Sequence, residues 1–71
     1  MERQYVDSSM ITSMGYDSNS GTLEIEFKNG GAIWQYYDVQ ESIYYELISA
    51  SSIGKYFINN IKGQYSENRV G

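Results

Sequence analysis

The sequence predicts an α+β domain in which a three-stranded antiparallel sheet is followed by two helices packed on one of its faces, in the order β-β-β-α-α. Three observations predict it. Apolar residues alternate on both sides of an Asn-Gly pair, the mark of a hairpin. After Asp38 the apolar spacing changes to three and four, the period of a helix. The chain has 71 residues, 41% of them hydrophobic and 15% aromatic, which is enough for one packed core and too short for two domains.

Residues 1–7 are polar with two apolar members and read as an arm leading into a single domain that spans residues 1–71. Met10–Tyr16 suits the first strand, and the five turn formers Asp17-Ser18-Asn19-Ser20-Gly21 close it. Thr22–Lys28 then alternates, with Leu23, Ile25 and Phe27 on one face and Glu24, Glu26 and Lys28 on the other. With Asn29-Gly30 as a two-residue turn, Phe27 faces Ala32, Ile25 faces Trp34 and Leu23 faces Tyr36. Asp38 and Glu41 have the spacing of a capping box, and Val39, Ile43 and Leu47 follow as a helical stripe widened by Tyr44 and Ile48. Ser51 and Ser52 interrupt that stripe and offer a second cap. Ile53, Tyr56, Phe57, Asn60 and Ile61 resume it until Gly63, and residues 66–71 read as a polar tail.

Charge and missing residue types narrow the function. Nine acids against five bases give −4, and the pI is near 4.4. Arg3, Lys28, Lys55, Lys62 and Arg69 are scattered, so long DNA or RNA is a poor partner, whereas a small anion needs only one or two positive contacts. The chain has neither histidine nor cysteine. It therefore lacks the commonest general base and the soft metal ligands, and the expectation is a non-enzyme without cofactor or metal. No apolar run approaches a membrane span, so a cytoplasmic protein with no membrane partner is expected.

From Val6 to Val70 these residues resemble the KTSC domain, a short module of bacterial and phage proteins that also ends some lysyl-tRNA synthetases. The resemblance is carried by Ser8-Ser9, Gly15-Tyr16-Asp17, the alternating Leu23, Ile25 and Phe27, and Gly30. It continues through Trp34-Gln35-Tyr36, the run Ala50-Ser51-Ser52-Ile53-Gly54-Lys55-Tyr56-Phe57-Ile58-Asn59, Ile61-Lys62 and Tyr65. Trp34 stands where the family usually has tyrosine, and Gln40 where it usually has proline. The resemblance implies the fold and a link to RNA more than it implies an activity.

Two groups of residues are candidates for ligand contact. Trp34, Tyr36 and Tyr37 offer aromatic faces on which a base would stack, although the plainer reading of the hairpin register makes Trp34 and Tyr36 core. Ser51, Ser52, Gly54 and Lys55 sit at a helix start, where free N–H groups, hydroxyls and a lysine suit a phosphate; the plainer reading is a serine cap with a packing glycine. Lys55, Asn59 and Lys62 would extend that site along one polar stripe. Glu24 and Glu26, roughly 7 Å apart by strand rise, read as an exposed solubilising pair rather than an acid–base couple. Ile33 and Tyr37, with Met10, Thr12 and Met14, would make the outer sheet face partly apolar, and self-association into a homo-oligomer is the expectation drawn from it.

The function expected from all this is binding without chemistry, with a nucleotide-like small-molecule anion as the partner. Small phage proteins of this build can sequester nucleotide-derived signals of bacterial immunity, and this acidic, compact chain looks like one. The alternatives are an RNA-interaction module, which the resemblance implies, and a protein–protein adaptor.

Overall fold

The structure, a computed structural model, describes residues 1–71. Its elements are β1 (Gln4–Tyr5), β2 (Ile11–Asp17), β3 (Thr22–Phe27), β4 (Ile33–Tyr36), α1 (Glu41–Ser49), α2 (Ile53–Asn60) and β5 (Glu67–Arg69). The α+β class and the two helices are as expected. The sheet, however, has five strands rather than three, all antiparallel, in the order β1-β2-β3-β4-β5. The arm and the polar tail supply the two extra strands. Each is too short and too polar to alternate visibly, and each forms because a neighbour presents an open ladder.

The predicted register of the central hairpin holds, with Leu23 opposite Tyr36 and Ile25 opposite Trp34. The Phe27 N–H donates to the Ala32 carbonyl, which extends the same register. Its turn is wider than expected. Residues 28–31 form it, and the left-handed pair is Gly30-Gly31 rather than Asn29-Gly30.

The first strand differs more. A bulge between Ile11 and Ser13 lets Ile11 face Phe27 while Ser13 faces Glu26. Ile11 and Met14 are therefore both buried in the core, and the outer face receives Ser13 and Gly15 instead. The outer sheet face is accordingly polar where β2 crosses it, while Ile33, opposite Glu26, and Tyr37, bonded to Gln35, stay on that face as expected. The arm crosses it closely: a Cβ on Gly15 would stand 2.2 Å from the Glu2 carbonyl oxygen. Gly15→Ala is thus expected to push the arm off and cost about 1–3 kcal/mol, read as a lower unfolding midpoint with faster amide exchange in β1.

The capping box does not form. Asp38 adopts a left-handed conformation (φ 58°) in the turn out of β4, and Gln40 precedes α1 without a side-chain cap bond. Val39 is buried ahead of the helix, its N–H donating to the Gly21 carbonyl and its carbonyl accepting from the Tyr16 hydroxyl. Leu47 is the buried residue of α1, and Tyr44 stacks on Tyr16 at 4.8 Å between ring centroids. Ile48, counted in the apolar stripe, is exposed. The second cap is as expected, with the Ser52 hydroxyl accepting from the Lys55 N–H at 3.3 Å. Phe57 of α2 is the hinge of the core: its ring meets Phe27 and Tyr36 edge-on, at 5.3 and 5.5 Å.

Candidate ligand groove and the polar sheet face

Where α2 ends over the β3–β4 hairpin, the helix covers the sheet incompletely and leaves a groove of about 640 Å³. The aromatic side chains of Phe27, Trp34, Tyr36 and Phe57, with Met10, form its apolar part, and its charged groups are Lys28, Lys62 and the Glu67 carboxylate. The volume falls within the range of small-molecule sites, and the mixture of apolar wall and a few charged groups is their usual composition. Strand alternation explains the wall. Phe27, Trp34 and Tyr36 share the inner face, Tyr36 is buried under Phe57, and Trp34 remains half-buried because the helix stops short of it.

Burial pushes the Tyr36 phenol up to about 12, and the Glu67 carboxylate adds to the rise. An unfolded tyrosine titrates near pH 10 (roughly), so above that pH the folded state retains a proton the unfolded state has lost. Stability is whole below that value and falls as pH rises toward the folded value. Chemical denaturation between neutral pH and about pH 11 should show a loss of about 1 kcal/mol, which Tyr36→Phe should diminish.

The expected site residues divide into three places. Trp34 and Tyr36 line the groove. Tyr37 lies outside it, its hydroxyl donating to Gln35 Oε1 at 3.0 Å. Ser51, Ser52, Lys55 and Asn59 are exposed and do not reach it. Gly54 fits its packing role, since a Cβ there would meet Met10 at 3.3 Å and Ser8 Oγ at 3.8 Å. The Lys55–Asn59–Lys62 stripe breaks because α2 ends at Asn60, which carries Lys62 past the helix end to the groove edge. Lys28, Phe27 and Phe57 were not singled out as contacts by sequence reasoning. Alternation assigned both phenylalanines to the core, and no local pattern tells where a helix will stop short.

The other sheet face carries a hydrogen-bonded polar cluster. Glu24 is buried, contrary to the exposed pair expected from alternation. It accepts from Arg3 and from Gln35 Nε2, while Ser13 Oγ accepts from Arg3 Nε at 3.0 Å and donates to Glu26 at 2.8 Å. Burial raises the Glu24 carboxyl, but the hydrogen bonds of Gln35 and Arg3 and the Arg3 charge together outweigh it and hold the group below its usual value. Its contribution to stability is therefore present above the unfolded pKa and lost as pH falls through the lower folded value. No three histidine, cysteine or acidic residues gather as a metal site, and no helix is long and apolar enough to cross a membrane.

These elements define a small α+β module, a five-stranded antiparallel sheet with two helices. The KTSC domain profile matches residues 7–65, and the chain belongs to that family. A crystal structure of a KTSC domain protein from Yersinia pestis is 40% identical, with a TM-score of 0.94 over 99% of this chain and 97% of that one. An uncharacterized protein of Stutzerimonas stutzeri is 35% identical over 65 residues, 92% of this chain and 90% of the relative. A lysine–tRNA ligase of Nostoc is 37% identical over 59 residues, where 83% of this chain corresponds to 10% of the ligase.

Proposed function

We propose that this chain is a non-catalytic binding protein that holds a nucleotide-like anion in the groove. The observation that carries the reading is one side of the molecule with exposed indole surface at Trp34, an apolar wall behind it, and two lysines at the edge. A flat base stacks on Trp34 and Phe27, a contact worth about 1–3 kcal/mol. Lys28 and Lys62, on flexible stems, reach a phosphate at the groove edge. We place the anion there rather than at Ser51–Lys55, because the Ser52 hydroxyl already caps α2 and neither lysine of the groove is shared with that segment. Sequestration is binding without turnover, and the chain has neither a histidine base nor a cysteine nucleophile to place in the groove. Native mass spectrometry of protein purified from cells is expected to show a bound mass of nucleotide size, released intact on denaturation. Release of a cleaved product, or protein that arrives empty and binds no nucleotide added afterwards, would overturn the reading.

A second reading is favoured by one observation, the presence of related segments in lysine–tRNA ligases. The groove would then take an unpaired base of RNA. The net charge of −4 opposes it, since each phosphate contact needs a positive partner. Micromolar, strongly salt-dependent binding of tRNA would favour this reading; we expect none at physiological salt.

A further inference from the structure

We propose that β5 pairs with β5 of a second copy about a two-fold axis through Asn68, so that Glu67 of each copy meets Arg69 of the other. The strand order leaves β5 at an edge of the sheet, and its three residues are exposed. The hydrogen bonds on its inner side set the phase. Tyr37 N–H donates to the Ser66 carbonyl and Val70 N–H to the Ile33 carbonyl, so the even-numbered residues face β4. In an antiparallel ladder the intervening residues then point their N–H and C=O groups the other way. Glu67 and Arg69 therefore offer four unpaired backbone groups to the open edge.

That phase and the side chains agree on one partner. Centring an antiparallel pair on Asn68 places Glu67 opposite the second copy's Arg69 in a hydrogen-bonded pair, twice by symmetry, and all four free backbone groups are satisfied. Opposite charges directly across a ladder favour the pairing, whereas like charges there oppose it. Neither side chain is already in an ion pair: the single salt bridge of the chain joins Arg3 to Glu24, and Arg69 Nε donates to the Gly71 carbonyl. The same register sets the half-exposed Val70 against Ser66 of the second copy. The opposite edge lacks this match, because β1 consists of Gln4 and Tyr5 and its neighbour Arg3 is held by Glu24. A β5 pair continues the two sheets as one and is isologous, so it closes at two chains. It also brings the second copy's Arg69 beside Glu67 at the groove, which neutralises a carboxylate there; this consequence alone rests on the groove reading.

The test is a charge swap followed by sedimentation equilibrium without any ligand, so its outcome is independent of what the groove binds. Wild type is expected to sediment as a concentration-dependent dimer of the 8.1 kDa chain. Glu67→Arg and Arg69→Glu, each of which sets like charges across the axis, should weaken dimerisation about tenfold or more. The double variant E67R/R69E restores both pairs and should recover the dimer. Circular dichroism verifies that each variant is folded. A wild type that stays monomeric at millimolar concentration overturns the proposal, as does a dimer that the single swaps leave unchanged or the double swap fails to restore.

Discussion

Phe57→Ala is expected to cost about 3–5 kcal/mol, the usual loss for a buried phenylalanine whose cavity cannot close. The cavity cannot close here because Phe57 is the contact between α2 and both long strands of the hairpin. It touches Phe27 on β3 and Tyr36 on β4, and α2 buries no other residue within its helical span. For a chain of this length the total stability is roughly 4–10 kcal/mol, so the variant should be largely unfolded well before the wild-type midpoint. Phe57→Leu retains most of the buried area and should lose about half as much. Urea denaturation of the pair gives both values. Similar midpoints for wild type and the alanine variant would mean that α2 is not docked through this ring.

Reversing the two groove lysines is expected to have the largest effect on binding. A charge-assisted hydrogen bond to a phosphate contributes about 1.5–3 kcal/mol, so Lys28→Glu or Lys62→Glu should each weaken binding of a nucleotide such as ADP-ribose by about tenfold or more. Both side chains are exposed, and stability should move by less than about 0.5 kcal/mol. Lys55→Ala should leave affinity unchanged, because Lys55 does not reach the groove. Isothermal titration of the three variants separates the two possible anion positions. Loss of binding on changing Lys55 alone would move the phosphate to the start of α2.

What the sequence made legible follows from where local patterns reach. The hairpin register was readable because turn and alternation constrain it independently, and a one-residue slip would have exposed every large apolar side chain. Ser52 was readable as a cap because its role involves only the next three residues. The family match at residues 7–65 likewise rests on this central part. The bulge near Thr12 was not readable: nothing in Met10–Tyr16 announces the extra residue that turns Met14 inward. β1 and β5 were not readable either, since strands of two and three polar residues gain their stability from the ladder they join. The burial of Glu24 depends on that arm, because Arg3 reaches it only once β1 is paired. Half of the candidate site shared the same fate. Trp34 and Tyr36 were placed by register, but the groove beside them exists because α2 ends at Asn60, a matter of helix against sheet.

Trp34 is the one tryptophan of the chain and it lines the groove, so its fluorescence reports on the central claim without any label. Titration of the wild-type protein with AMP, ADP-ribose and a cyclic dinucleotide should produce saturable quenching with at least one of them. In parallel amide and indole NMR spectra, the shifts should concentrate at Trp34, Phe27, Lys28 and Lys62. Unchanged fluorescence with every nucleotide at millimolar concentration, or shifts confined to Ser51–Lys55, would contradict the account.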